Sequence, residues 1–349
     1  MNTTQNLIDH EQINWNELKN LLRNNLQDIP DAPIKIKKFA EGYSNLTYLL
    51  CIGTWEGVLR RPPFGEIPPK AHDMKRECTI LTKVNSVYPL APKPLLYSED
   101  PAIMNRHFYV MEKKQGVVID DRLPASYGSS EQVGPLISNA VITSMIELQS
   151  IDYLKANLSD IGRPEGYLER QVHGWMRRYA HSKTYEYQQV TELDSWFINN
   201  LPASPKPTIV HNDFKLNNLL FDENDPRKIN GVLDWELSTI GDPLTDVGST
   251  VAYWGQNGDL DLGINFVTNQ PGFYSRRQFV EEYARLSGRD VSNITYYVAL
   301  GFYKLAVILQ QIYYRWKKGE LPDERFKTLN VAVSNLFEMA HLTKENRIL

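Results

Sequence analysis

Cysteine is scarce in this sequence. Only Cys51 and Cys78 occur in 349 residues, and no CxxC pair is present, so a structural zinc site has little basis. Two cysteines in so long a chain read as small buried hydrophobes in a reducing compartment rather than as a disulfide framework. A basic excess is missing too. The formal net charge is −4, which argues against a general nucleic-acid binder, because such a protein needs a cationic face to displace counterions from phosphates. Long apolar runs are also lacking. The most apolar stretch, YYVALGFYKLAVILQQIYY at 296–314, is interrupted by Lys304, Gln310 and Gln311, and it falls short of the ~20 apolar residues that cross a bilayer. It reads as a buried helix. The opening MNTTQNLIDHEQ has neither the basic head nor the apolar centre of a signal peptide. A cytoplasmic protein without a membrane segment is the expectation.

What is present suits a globular chain. Hydrophobic residues make up 42% and charged residues 23%, a balance that allows a sizeable core and argues against disorder. Residues 7–26 place Trp15, Leu18, Leu22 and Leu26 at spacings of three and four, which predicts an amphipathic helix that Pro30 and Pro33 end. Short strand-like runs follow, IKIKKFA, LTYLLCIG and GVLRR, with Gly53 and Gly57 marking a turn between the last two. A helix is expected over 71–84, and FYVMEKKQG reads as a further strand.

The character then changes. Ile137, Val141, Met145 and Leu148 lie at helical spacing, residues 166–200 read as helical, and the chain after Asp246 is mostly helical and aromatic. Strands are expected here only around IVHNDFKLNNLLFD (209–222) and INGVLDWE. The fold expected is α+β: a small β-rich lobe with one main helix over 1–112, then a larger, mostly helical lobe over 113–349. The boundary falls near Met111 to Gly116.

The stretch 209–222 poses the functional question. Two apolar clusters flank a polar segment that holds His211, Asp213, Lys215 and Asn218. Phosphoryl transfer needs magnesium on hard oxygen ligands, a carboxylate that orients the acceptor hydroxyl, and a cation on the nucleotide phosphates. Asp213 supplies a carboxylate, and Asn218 an amide oxygen five residues later. Asp234 follows at the end of the apolar run GVL, where a strand can release its first polar group. Taken singly, Asp213 and Asn218 are ordinary turn formers, and Arg60 with Glu77 is an ordinary surface ion pair. The combination is what points to chemistry.

HNDFKLNN resembles the HxDxxxxN catalytic loop of the protein-kinase-like fold, and VLDWE sits where that fold carries its DFG aspartate. The step from His211 to Asp213 and the short gap to Asp234 are similar to aminoglycoside and choline-type phosphotransferases. EGYSNLTYLL, VLRRPP, KAHDMKRE, LDWELSTIGDPLTDVG and LAVILQQIYYRWKKG resemble, more particularly, the phosphotransferase domain of acyl-CoA dehydrogenase family members ten and eleven. The resemblance runs from about residue 38 to residue 320. It implies a bilobal protein-kinase-like fold with the site in the cleft between the lobes. It implies that Asp213 orients the attacking hydroxyl and takes its proton late, and that Asn218 and Asp234 bind Mg2+. His211 would brace the loop, and Lys215 would reach the transferred phosphate. In the first lobe, Arg60 would stand where protein kinases carry the phosphate-binding lysine, paired with Glu77. Gly42, Ser44 and Asn45 of EGYSN would cover the phosphates, and Met111 and Glu112 would form the adenine hinge. The single glycine of EGYSN and the arginine at position 60 depart from the protein-kinase pattern, but an arginine can grip phosphate in a bidentate way.

The function implied is an ATP- and Mg2+-dependent transfer of the γ-phosphate, with GTP as the alternative donor, to a hydroxyl of a small molecule. Hydroxyacyl-CoA or a hydroxy acid, an aminoglycoside, choline and a sugar are the acceptor classes. Nucleic acid and membrane are not expected partners. Two alternatives remain. A protein serine/threonine kinase is opposed by the run Asp234-Trp235-Glu236, which lacks the DFG glycine, and by the absence of an APE-like segment. A catalytically inactive nucleotide-binding module is motivated by Arg60 and the reduced glycine loop, and opposed by the retained Asp213, Asn218 and Asp234. Asp242 and Asp246 of GDPLTDVG read as a turn and a helix start that brace the loop.

Overall fold

The structure, a computed structural model, describes residues 13–39, 45–63, 72–321 and 323–349. It divides into two compact units. One comprises the described residues up to Gln115 together with Gly231–Glu236; the other comprises Gly116–Asn230 and Leu237–Leu349.

The smaller unit is built on a five-stranded antiparallel sheet in the order β1-β2-β3-β5-β4. Its strands are β1 (Ile34–Lys38), β2 (Leu46–Ile52), β3 (Trp55–Arg61), β4 (Pro94–Ser98) and β5 (Phe108–Glu112). β2 and β3 are joined by a tight turn at Gly53, whose φ of +56° suits glycine. Gly57 is not part of that turn, contrary to the sequence expectation. It lies within β3 beneath the Trp55 ring, where an added Cβ would come within 2.4 Å of the indole. Helix α1 (Trp15–Asn25) starts at Asn14, whose side chain accepts the Glu17 N–H. It buries Leu18 and Leu22 completely against Leu50, Leu59 and Phe108 of the sheet. Each such side chain contributes roughly 1.5–3 kcal/mol by leaving water. Helix α2 (Met74–Asn85) is capped by Asp73, which accepts the Arg76 N–H at 2.9 Å.

Gly231–Glu236 is anchored within this unit. The Val232 N–H donates to the Leu90 carbonyl at 2.9 Å. Trp235 is buried against Tyr88, with ring centroids 6.0 Å apart, and its Nε1–H closes on the Val232 carbonyl at 2.7 Å.

The larger unit holds seven α-helices among the described residues: α3 (Ser130–Ser150), α4 (Tyr167–Ser182), α5 (Gln188–Asn199), α6 (Pro243–Ala252), α7 (Arg276–Ser287), α8 (Ile294–Lys317) and α9 (Leu329–Lys344). The region 166–200, read as helical, holds two helices, parted where Lys183 turns to extended backbone at ψ 133°. Short strands carry the loops: β6 (Val117–Val118), β7 (Thr208–Val210), β8 (Leu219–Phe221), β10 (Thr239–Gly241), and β9 (Ile229–Val232), whose last two residues belong to the smaller unit. β7 pairs with β10, while β8 lies between β6 and β9. The stretch 209–222 is thus no hairpin, because its two flanking strands belong to different sheets.

Helix α8 is the segment read as buried from sequence. It is 24 residues long and packs on α6 with backbone nearly touching backbone. A Cβ at Gly248 would lie 2.3 Å from the Tyr297 carbonyl oxygen, and one at Gly301 would lie 2.5 Å from that of Gly248. Among the described residues no helix is long and apolar enough to cross a membrane. Cys51 and Cys78 are both free thiols.

Candidate active site

The loop between β7 and β8 is held from behind. Asp246, fully buried on α6, accepts the backbone N–H of His211 at 2.8 Å and of Asn212 at 2.6 Å. Burial raises its pKa to about 6, against the pull of those two N–H groups. Asn212 sits at φ +66°, a left-handed conformation that asparagine tolerates better than most residues. Its side chain accepts from the Tyr167 hydroxyl at 2.6 Å and donates to the Leu237 carbonyl at 3.0 Å. His211 is fully buried, and its Nδ1 accepts the Asp213 N–H at 3.2 Å. A ring nitrogen committed in this way orders the loop.

Asp213 occupies the centre of this cage. The Lys215 ammonium lies 3.1 Å from its Oδ2 and over the Tyr253 ring, 4.8 Å from the centroid. The Asn218 amide donates to the Asp213 backbone carbonyl and to its Oδ2, each at 2.8 Å. Burial pushes the Asp213 carboxyl up, but Lys215, Lys304 and His211 outweigh it and hold the pKa below the ordinary aspartate value. Asp213 is therefore ionised at neutral pH and ready to accept a hydrogen bond.

Lys304 escaped the sequence reading, in which it only interrupted an apolar run. It is buried on α8, donates to the Asn212 carbonyl, and lies 3.2 Å from Ser249 Oγ. Burial lowers its pKa, while Asp213 and Asp246 work against that shift. The available signal was its chemistry: an ammonium inside a long apolar helix needs partners there. Beside it opens a cavity of about 250 Å³ whose lining includes Tyr167, Trp175, Asn212, Tyr297, Leu300 and Lys304.

In the smaller unit, β3 presents Arg60 opposite Tyr109 of β5. Arg60 Nε donates to Glu77 Oε2 at 3.2 Å, and Nη2 donates to Asp234 Oδ1 at 2.6 Å, with Glu236 Oε2 at 3.8 Å. Burial pulls the guanidinium pKa down, but Glu77 and Asp234 carry it above the usual arginine value. Glu77 is buried as well, and burial raises its pKa to about 7 against the charge of Arg60. Asp234 has φ +66°, an uncommon backbone for a residue with a side chain.

Of the expected phosphate-covering loop, Gly42 and Ser44 lie outside the described residues. Asn45 is buried, its amide donating to Glu236 Oε2 at 2.8 Å and its oxygen 2.8 Å from His72 Nδ1. Met111 and Glu112 end β5. The Glu112 N–H is committed to the Lys93 carbonyl at 2.9 Å, and its Oε1 accepts the Lys93 N–H at 2.8 Å. The structure thus brings Asp213, Lys215, His211 and Asn218 together in one unit, and Arg60, Glu77 and Asp234 together in the other.

A small antiparallel sheet followed by many helices, with this loop and this arginine, defines the protein-kinase-like fold. The chain belongs to the phosphotransferase enzyme family, whose pattern matches residues 35–289. Acyl-CoA dehydrogenase family member 11 of Mus musculus is 34% identical over 306 residues, covering 86% of this chain and 39% of that protein. The chain thus spans about two fifths of the length of this curated relative. A candidate aminoglycoside phosphotransferase of Ralstonia eutropha JMP134 shares 25% identity at a TM-score of 0.78, covering 95% of this chain and 99% of its own. The aminoglycoside phosphotransferase APH(4)-Ia, solved as a thermostable mutant in ternary complex with AMP-PNP and hygromycin B, shares the fold at a TM-score of 0.59 and 17% identity. That match covers 93% of this chain and 98% of its own. Family and fold support a small-molecule phosphotransferase.

Proposed function

We propose that this chain transfers the γ-phosphate of ATP, in the presence of Mg2+, to a hydroxyl of a small molecule. The observation that carries the proposal is the ionised Asp213 carboxylate, flanked by Lys215 at 3.1 Å and Asn218 at 2.8 Å on a loop fixed by Asp246. In a loose transition state a carboxylate of low pKa is a weak base, so its work is to orient the acceptor hydroxyl and take the proton late. Lys215 balances charge on the moving phosphoryl group, and His211 keeps the loop in register.

The smaller unit would serve the nucleotide. Arg60, positioned by Glu77, is the cation we assign to the phosphates, with Gly42, Ser44 and Asn45 covering them and Met111 and Glu112 as the hinge. No cluster of three His, Cys, Asp or Glu side chains suited to a metal occurs among the described residues. Magnesium does not require one, since it takes one or two protein oxygens and completes its shell with phosphate and water. Asp234 offers a carboxylate and Asn218 an amide oxygen, which are donors of that type. Bound magnesium would neutralise charge on the β- and γ-phosphate oxygens. A bound nucleotide analogue in a structural neighbour supports nucleotide use.

The acceptor is an alcohol that is not polycationic. The cavity beside the Asp213 loop has Arg178 and Lys304 in its wall and no carboxylate, which disfavours an aminoglycoside and favours a hydroxyacyl-CoA or another hydroxy acid. An ATP-consumption screen over hydroxyl compounds, with Asp213→Ala as control, tests this. Turnover on a hydroxy acid that is lost in the variant supports it. Nucleotide binding with no turnover on any acceptor would favour the inactive-module alternative.

A further inference from the structure

We propose that the groove between α4 and α8 is an anion subsite for a phosphate or diphosphate group, and that, on the reading above, this group is the far end of the acceptor. Gly174, Arg177, Arg178 and His181 recur at i, i+3, i+4 and i+7 on α4, and Gln311, Tyr314 and Arg315 at i, i+3 and i+4 on α8. These spacings bring each set to one helix face. Together the seven residues, with Ser182, line a cavity of about 450 Å³. No carboxylate lines it, although the chain as a whole carries a net charge of −4.

The cations in this groove are poorly neutralised. Arg177 and Arg178 are adjacent, and among the described residues neither has an ion-pair partner. Arg315 meets Glu320 at 3.3 Å in an exposed pair, which solvent largely screens. Burial, and then the like charge of Arg177, lower the Arg178 pKa. Arg178 is nonetheless held in place. Its guanidinium lies over the Trp175 ring, 4.5 Å from the centroid, and a Cβ on Gly174 would come within 3.3 Å of its Nη1. A glycine inside a helix is costly, and here it leaves room for that guanidinium. Planar arginine forks match phosphate oxygens two at a time, and an oligoanion would relieve the repulsion between the arginines.

Arg178 is also a wall of the second cavity, the one lined by Trp175, Tyr297, Leu300, Asn212 and Lys304. The two cavities are therefore neighbours within one unit. A ligand that spans them would set its hydroxyl near the Asp213 loop, its apolar segment against Trp175 and Leu300, and its phosphate among Arg177, Arg178 and Arg315.

The test is titration calorimetry of inorganic pyrophosphate into the full chain at low salt. The proteins compared are the parent, Arg60→Ala, and the double variant Arg177→Ala with Arg315→Ala. Arg177 and Arg315 are both exposed, so their removal should leave the fold intact by circular dichroism. The expected result is saturable binding that Arg60→Ala preserves and the double variant weakens at least tenfold. The double variant should also raise KM tenfold for a phosphorylated acceptor and leave KM for its dephosphorylated analogue unchanged. Binding within twofold of the parent in the double variant, or binding lost only with Arg60→Ala, would overturn the subsite. Binding of single-stranded RNA without pyrophosphate would also overturn it. Arginine-dependent pyrophosphate binding with no phosphoryl transfer on any acceptor would sink the kinase reading and leave the subsite standing.

Discussion

The Asn218 amide donates to Asp213 twice, to its backbone carbonyl and to its Oδ2, each at 2.8 Å. The residue proposed as a magnesium ligand is thus also a clamp on the carboxylate that is to orient the acceptor. Asn218→Ala should lower turnover on the order of 100-fold, the cost of a misplaced reacting group. Asn218→Ala and Asp234→Ala should each raise the magnesium concentration needed for half-maximal rate. Magnesium titration of both variants checks this, and curves that overlay the parent would refute the assignment of both residues.

Lys304 should set the acid limb of the pH–rate profile. Its charge is one of those that hold the Asp213 pKa low. In Lys304→Met that contribution is gone, so Asp213 should protonate at higher pH and the acid limb of kcat/KM should move upward. An acid limb in the parent's position would show that Lys304 serves packing alone.

Glu77 ties stability to pH. Unfolded, a glutamate releases its proton near 4.5; in the fold Glu77 holds it to about 7. Between those values the native state binds the extra proton. This contribution to stability is therefore fully present below pH 4.5 and is lost as pH rises through about 7. The total is on the order of 3 kcal/mol for a buried group. Asp246, raised to about 6, acts in the same direction. Urea denaturation of the parent and Glu77→Gln from pH 4.5 to 7.5 should show their stability difference changing in that sense. A difference that stays constant with pH would contradict it.

The crossing of α6 and α8 places both Asp246 and Lys304. Gly301→Val would press a side chain onto the Gly248 carbonyl, which already lies 2.5 Å from an ideal Cβ. Overpacking of this kind costs about 1–3 kcal/mol, occasionally more, and here it should lower turnover as well by shifting the loop's supports. Thermal melts and kcat measured together check the coupling. A variant that melts like the parent would remove the close contact from the explanation.

Much of this was legible in the sequence. Alternation in IKIKKFA gave the strand at 34–38, the short apolar runs LTYLLCIG and GVLRR fell on β2 and β3, and the apolar content of 296–314 gave the buried α8, because such patterns survive wherever a segment meets the core. The Asp213–Asn218 step and Asp246 of GDPLTDVG were readable because local spacing decides what a loop can reach. Other features were not. β6 and β10 have only two and three residues, too few for any period to register. The partner strands of β7 and β8 depend on long-range pairing, which no window of sequence contains. Lys304 takes its role from neighbours far along the chain, so in sequence it looked like a solitary charge in an apolar run. The left-handed backbones at Asn212 and Asp234 gave no signal either, since neither position is a glycine.

The most direct test is phosphate transfer by Asp213→Asn. Asparagine keeps the size and the hydrogen-bonding reach of the side chain and removes the charge. With labelled ATP, magnesium and the best acceptor from the screen, transfer should fall by roughly 100- to 10,000-fold, the usual worth of a proton-handling group. Nucleotide affinity and melting temperature should stay close to the parent's. Transfer at the parental rate in Asp213→Asn would contradict the assignment of Asp213 as the residue that orients the acceptor hydroxyl.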